Sequence, residues 1–168
     1  QGTGGFVVPL DAPGVSRGKP LNKIGQRALN QGEIFFEDVR VPADYLVFSP
    51  EMHAFAADAV LSMANSGMGS TFVGVAQAAL DLAITYAKER VQGGVPIFRH
   101  QSVRARLFDM FRKVEAAKSL SRRVMLYNVL TSPPQLQYAI ASKVTATSTA
   151  FEVASAALQI FGGNGLSR

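Results

Sequence analysis

RHQSVRARLFDMFRKVEAAKSLSRRVMLYNVL, residues 99–130, is the stretch whose reading decides the fold. Within it Val103, Leu107, Met110, Val114, Ala117, Ser121, Val124 and Asn128 recur at spacings of four and three, and six of these eight are apolar. That period puts one apolar stripe along a helix of about Arg99 to Leu130, the pattern of a bundle helix rather than an isolated surface helix. Ser132-Pro133-Pro134 breaks it. A further helix is expected from about Pro134 to Phe161, closed at Gly162-Gly163 by a left-handed cap. Upstream, helical pattern begins near Met52 and runs to Arg90 or Val91, allowing a break near its start. Gly67, Gly74 and Ala78 fall on nearly one face of it. A mid-helix glycine costs about 1 kcal/mol relative to alanine, so close approach of another backbone at this face is the expectation. Gln92 to Phe98, marked by Gly93-Gly94 and Pro96, reads as a loop. Three long helices with short connections predict an up–down–up bundle.

The first 50 residues read differently. Gly5-Phe6-Val7-Val8-Pro9 is a short β-rich run, and Asp11-Ala12-Pro13-Gly14 favours a type II turn. Gly32-Glu33-Ile34-Phe35-Phe36-Glu37, followed by Val39 and Val41, predicts a second strand that Pro42 ends. Two or three strands do not make a stable sheet alone, so this part is expected to belong to a larger β domain. The fold class predicted is α+β: a partial antiparallel β domain over 1–50, then a helical bundle over 51–168.

Composition narrows the chemistry. The chain has 168 residues, 48% of them apolar, which excludes general disorder. It has no cysteine, so disulfides, thiolate catalysis and thiolate zinc sites are excluded, and with only His53 and His100 a multi-histidine metal centre is not expected. No apolar run approaches the roughly 18 residues that a membrane span needs. The chain starts at Gln1 and stops at Arg168 just after a Gly-Gly-Asn-Gly turn; both ends are expected to be cuts, so missing targeting signals say little about compartment. The formal net charge of +5 is uneven: residues 1–50 balance, whereas ten basic side chains between Lys88 and Arg123 face only Glu89, Asp109 and Glu115. Such a patch suits an anion or is simply a solvated face. No nucleic-acid reading motif accompanies it, so nucleic acid is the weakest option.

Serine-triad chemistry lacks its nucleophile elbow. Gly2-Thr3-Gly4-Gly5 precedes a strand and lacks the phosphate-loop lysine, so it reads as a turn. Three groups remain. Arg90, after Glu89 and before Gly93-Gly94, Pro96-Ile97 and His100-Gln101, is either a helix-end cation suited to the dipole or a two-pronged donor to a phosphate. Gln159 with Gly162-Gly163-Asn164-Gly165 is either a helix cap or a backbone bared for close ligand approach. Lys23-Ile24-Gly25-Gln26-Arg27, leading to Phe36-Glu37-Asp38-Val39-Arg40-Val41-Pro42, is the third.

In order and spacing these blocks resemble the acyl-CoA dehydrogenases, over the whole chain. The Phe6–Pro9, Lys23–Arg27 and Phe36–Pro42 blocks look like the later half of that family's central β domain. Glu89-Arg90 through His100-Gln101 resembles its inter-helix corner, and Gln159-Ile160-Phe161-Gly162-Gly163-Asn164-Gly165 its downstream signature. The resemblance implies FAD as cofactor, a homotetramer, and α,β-desaturation of an acyl-CoA with electrons passed to electron-transferring flavoprotein. It implies that Arg90 and Gln101 contact the FAD of a partner subunit, and that Gln159, Gly162 and Gly163 line its adenosine–pyrophosphate side.

The family's catalytic glutamate is not found at either of its known places. One corresponds to about Ala64; the other falls beyond Arg168. Two further positions depart from the pattern: Gly93 stands where a phenylalanine often packs on the cofactor, and Asn65 where an arginine is common near the acyl end. The chain is therefore expected to be a fragment of such an enzyme, inactive alone, with a cytoplasmic location (mitochondrial matrix if eukaryotic). The alternatives are an acyl-CoA oxidase or flavin monooxygenase on the same fold, or a non-catalytic helical assembly module.

Overall fold

A computed structural model describes residues 3–167. The expected glycine-run turn includes Gly2, which lies outside the described residues, as does Arg168. The elements in order are β1 (Gly5–Phe6), β2 (Val15–Arg17), β3 (Ile34–Phe36), β4 (Leu46–Phe48), α1 (His53–Glu89), β5 (Val91–Gln92), β6 (Val95–Pro96), α2 (Gln101–Leu130) and α3 (Leu136–Phe161). The chain divides into two compact units, Gln1–Ala56 and Ala57–Arg168.

The first unit holds two short antiparallel pairs. β2 pairs with β3 in the register Val15↔Phe36, Ser16↔Phe35, Arg17↔Ile34. The expected type II turn leads into it: Val15 N donates to Ala12 O at 3.0 Å, and Gly14 adopts φ +87°. Glycine is required there, because a Cβ would collide with the Glu37 carbonyl. β1 pairs with β4. The expected strand Gly5–Pro9 is realised only at Gly5–Phe6, because Pro9 O already accepts Ala12 N at 3.1 Å and turns the chain. Ile34, Phe35 and Phe36 are all exposed, as in a ladder with no covered face.

The second unit is built on one repeated spacing. α2 buries Leu107, Met110, Val114, Ala117, Ser121 and Val124, with Val103 and Asn128 half-buried at the ends of the same stripe. α1 buries Ser62, Ser66, Gly69, Val73, Ala76, Leu80, Ala83 and Ala87, and α3 buries Ala139, Ser142, Ala146, Val153, Ala157 and Ile160 among others. Alternating steps of three and four on all three helices give coiled-coil-like packing. The main core joins Leu80, Ala83 and Ala87 to Met110, Val114, Val153 and Ile160. The opposite end is polar: Ser70 and Ser121 hydroxyls lie 3.1 Å apart, and Asn128 Oδ1 accepts Gln135 N at 3.0 Å. Asn128 thereby ties the end of α2 to the start of α3.

Two expectations need correction. Gly67 and Gly74 meet no neighbour where a Cβ would stand; the close approach is at Gly69, where a Cβ would lie 2.8 Å from Ser142 Oγ. The glycine a second helix needs is the one on the buried stripe, and Gly67 and Gly74 lie off it. In addition, the helical segment Pro50–Glu89 carries an 18-residue window of mean hydropathy 1.3, long and apolar enough by length and composition to cross a membrane. Serine, glycine and asparagine interrupt the apolar residues of this segment, yet none of these is charged, so its mean hydropathy stays high. One stripe of α1, with its serines and alanines, packs in the bundle core, and 28% of that window is buried.

Candidate functional site

An up–down–up bundle brings the end of α1, the start of α2 and the end of α3 together. Side chains confirm the juxtaposition. The Tyr86 ring lies 4.5 Å from that of Phe161, its hydroxyl donates to Phe161 O at 3.3 Å, and Asn164 Nδ2 donates to the same hydroxyl at 3.1 Å.

Arg90 follows the last residue of α1. Its N–H still donates to Tyr86 O at 2.8 Å, and its carbonyl accepts Ile97 N at 2.8 Å. The backbone is thus pinned at both polar atoms while the side chain is exposed, with no ion pair to it among the described residues. The expected loop after it is a tight hairpin, with Val91↔Pro96 and Gln92↔Val95 paired. Gly93 at φ +64° and Gly94 at φ +81° supply the two positive φ values of a type I′ turn. Strands of two residues leave no alternation to read, which hid the hairpin in the sequence. Ile97 is buried beneath it, and His100 Nε2 lies 3.0 Å from Gln92 O. Gln101, the first residue of α2, is exposed beside this brace.

Gln159 is exposed on the last turn of α3. Gly162 has the expected positive φ, +58°, but its ψ of −132° is outside the left-handed helical region. The chain therefore does not simply cap; it continues as a 3-10 turn over Gly162–Leu166. Gly162 and Gly163 are exposed with nothing near a Cβ position, whereas Gly165 is packed so that a Cβ would lie 2.8 Å from Leu158 O. The turn is anchored at its far end and bare at its near end.

Arg90, Gln101 and Gln159 thus expose a guanidinium and two carboxamides, and Gly162-Gly163 a bare backbone; a guanidinium is suited to a phosphate. Tyr86 was missed in the sequence; the available signal was an aromatic with a polar tip one helical turn before Arg90. The third sequence group is bonded within its own loop. Lys23 Nζ is occupied by Leu29 O at 2.7 Å and Gln31 Oε1 at 2.9 Å, and Arg27 donates to Lys23 O at 3.1 Å. Those cations shape their own loop.

Part of the basic patch is likewise internally paired. Lys113 bridges Asp109 and Glu152, both at 2.9 Å, Arg112 also pairs with Asp109, and Lys118 pairs with Glu115 at 3.0 Å. Lys113, and then Arg112, hold the Asp109 carboxyl below the usual aspartate range; Glu152 and Asp109 push the Lys113 ammonium up. Ala64 and Asn65 are exposed and half-buried respectively, and Asn65 Nδ2 is turned onto Leu61 O at 2.7 Å. No group of three metal-ligating side chains occurs among the described residues.

The family model for the acyl-CoA dehydrogenase C-terminal domain matches residues 56–168. The mitochondrial short-chain specific acyl-CoA dehydrogenase of Bos taurus is 35% identical over 165 residues, covering 98% of this chain and 40% of that protein. The chain thus spans about two fifths of the length of the curated relatives it matches. Among solved structures, butyryl-CoA dehydrogenase from Megasphaera elsdenii superposes with a TM-score of 0.90 at 33% identity, covering 96% of this chain and 42% of that one. PigA with FAD and proline superposes at 0.86 and 26% identity, over 96% of this chain and 42% of PigA.

Proposed function

This chain belongs to the acyl-CoA dehydrogenase family, and on that premise we propose that it is the flavin-contacting bundle, with part of the β domain, of an FAD-dependent enzyme that desaturates an acyl-CoA thioester. The observation that supports the reading is the contact of Tyr86 with Phe161 and Asn164, which joins the turn before Arg90 to the turn that carries the bare Gly162-Gly163 backbone. In this proposal residues 1–50 belong to the β domain and residues 51–168 to the bundle.

Arg90, Gln101 and Gln159 would hold the FAD, Arg90 offering a two-pronged cation to its phosphates and the two carboxamides hydrogen-bonding groups. Gly162 and Gly163 let the cofactor approach the backbone, since any side chain there would stand in its path. FAD, when bound, supplies the two-electron acceptor that desaturation requires. The proton-accepting carboxylate is assigned to none of Glu33, Glu37, Glu51, Glu89, Glu115 and Glu152, since α1 offers Ala64 and Asn65 at the turn where one subclass of the family carries it. Another segment of the complete protein supplies it. Electron-transferring flavoprotein as acceptor, a homotetramer, and a cytoplasmic or matrix location complete the proposal, in line with the mitochondrial relatives.

PigA, solved with FAD and proline, favours a second reading, in which the substrate is a carbon acid other than a CoA thioester. The test is anaerobic mixing of the FAD-loaded complete protein with short, long and branched acyl-CoAs, and with proline. Flavin bleaching by at least one acyl-CoA is the expected result. Bleaching by none of the thioesters contradicts the proposed substrate class.

A further inference from the structure

Tyr86 touches both halves of the proposed cofactor surface without belonging to either. On α1 it lies one turn before Arg90, whose N–H it accepts at 2.8 Å, so the two side chains are neighbours on the helix surface. Across the bundle its hydroxyl is the middle of a relay, Asn164 Nδ2 to Tyr86 Oη at 3.1 Å and Tyr86 Oη to Phe161 O at 3.3 Å. These bonds join residues 75 and 78 positions apart in sequence.

The relay answers a physical problem. The last carbonyls of a helix lack intrahelical partners and carry the negative end of its dipole. At the end of α3 that negative end lies beside the backbone proposed to meet a diphosphate. The Tyr86 hydroxyl satisfies the Phe161 carbonyl with a donor from another helix, and the ring, tilted against that of Phe161 with centroids 4.5 Å apart, fixes its direction. Asn164, inside the Gly162–Leu166 turn, then donates back to the hydroxyl and holds the turn against α1. A hydroxyl that both accepts and donates polarises in one direction, which strengthens both bonds.

We propose that Tyr86 is a positioning residue that latches the Gly162–Leu166 turn to α1 and so sets the spacing between the glycine backbone and Arg90 to which the cofactor binds. This rests on the cofactor reading above. The latch itself is independent of any ligand and is open to measurement without one.

The test uses the complete protein, with Tyr86→Phe, which keeps the ring contact and removes only the hydroxyl. Amide exchange is followed in the apo form, and FAD affinity is titrated beside an Arg90→Ala control. The expected result is faster exchange confined to residues 162–166, with α1 and α2 unchanged. FAD affinity should fall by about 2- to 12-fold, the span of one neutral hydrogen bond. Adding Asn164→Ala to Tyr86→Phe should weaken FAD binding no further, because both act through one hydroxyl. Unchanged exchange at 162–166 overturns the latch. Faster exchange with unchanged FAD affinity, where Arg90→Ala does weaken binding, overturns the positioning role while sparing the cofactor reading. Faster exchange with FAD affinity indifferent to both substitutions overturns the positioning role through failure of the cofactor reading itself.

Discussion

Gly69 of α1 and Ser142 of α3 meet at the polar end of the bundle, so closely that a Cβ on Gly69 would stand 2.8 Å from Ser142 Oγ. Ser142 is 1% exposed, so it has little room to swing aside, and its hydroxyl has no hydrogen-bond partner among the described residues. Gly69→Ala should therefore lose about 1–3 kcal/mol to overpacking, more than alanine's helical preference returns. Ser142→Ala removes both the obstacle and an unsatisfied hydroxyl, and should be neutral or stabilising alone. The double variant should recover most of the Gly69→Ala loss. Urea unfolding of the four proteins checks this; additive effects would mean the two residues do not share the contact.

Gly67 and Gly74 predict the opposite sign. Neither meets a neighbour at its Cβ position, so alanine at each should raise the stability of the 168-residue chain by about 0.5–1 kcal/mol. A loss at either position would contradict the open space at its Cβ.

Lys113 joins α2 to α3 through Glu152 and is shared with Asp109. The folded pKa of Asp109 is depressed, so its contribution is present above the ordinary aspartate value and is lost as pH falls through the depressed one. The folded pKa of Lys113 is raised, so its contribution is complete below the ordinary lysine value and is lost as pH rises through the raised one. Lys113→Met should flatten the stability profile below about pH 4 and above about pH 10. All these groups are solvated, so the effect should be small and fade with added salt. Thermal midpoints across pH at low and high salt make the comparison.

How much of this was legible in the sequence depended on distance along the chain. The α2 stripe from Val103 to Asn128 was readable because helical spacing is local, and every buried position of α2 lies on it. The Pro13-Gly14 turn was readable for the same reason, from the φ that Gly14 alone tolerates at no cost. Gly69 was not distinguished from Gly67 and Gly74, since only the packed partner on α3 separates them. Tyr86 escaped because its partners Phe161 and Asn164 are remote in sequence. At the site, Arg90 and Gln101 were linked by a short corner and could be read together, whereas the contact of Tyr86 with Phe161 and Asn164 that joins the ends of α1 and α3 is a property of the bundle.

The most direct test of the cofactor surface is FAD titration of the apo complete protein carrying Arg90→Ala, with assembly state followed by sedimentation. Losing a charge-assisted, two-pronged donor should weaken FAD binding by about 1.5–3 kcal/mol, roughly 10- to 150-fold, and Arg90→Lys should restore only part of it. If FAD affinity is unchanged in the alanine variant while its assembly state stays that of the unsubstituted protein, Arg90 is only a helix-end cation and the assignment of this bundle end to FAD is contradicted.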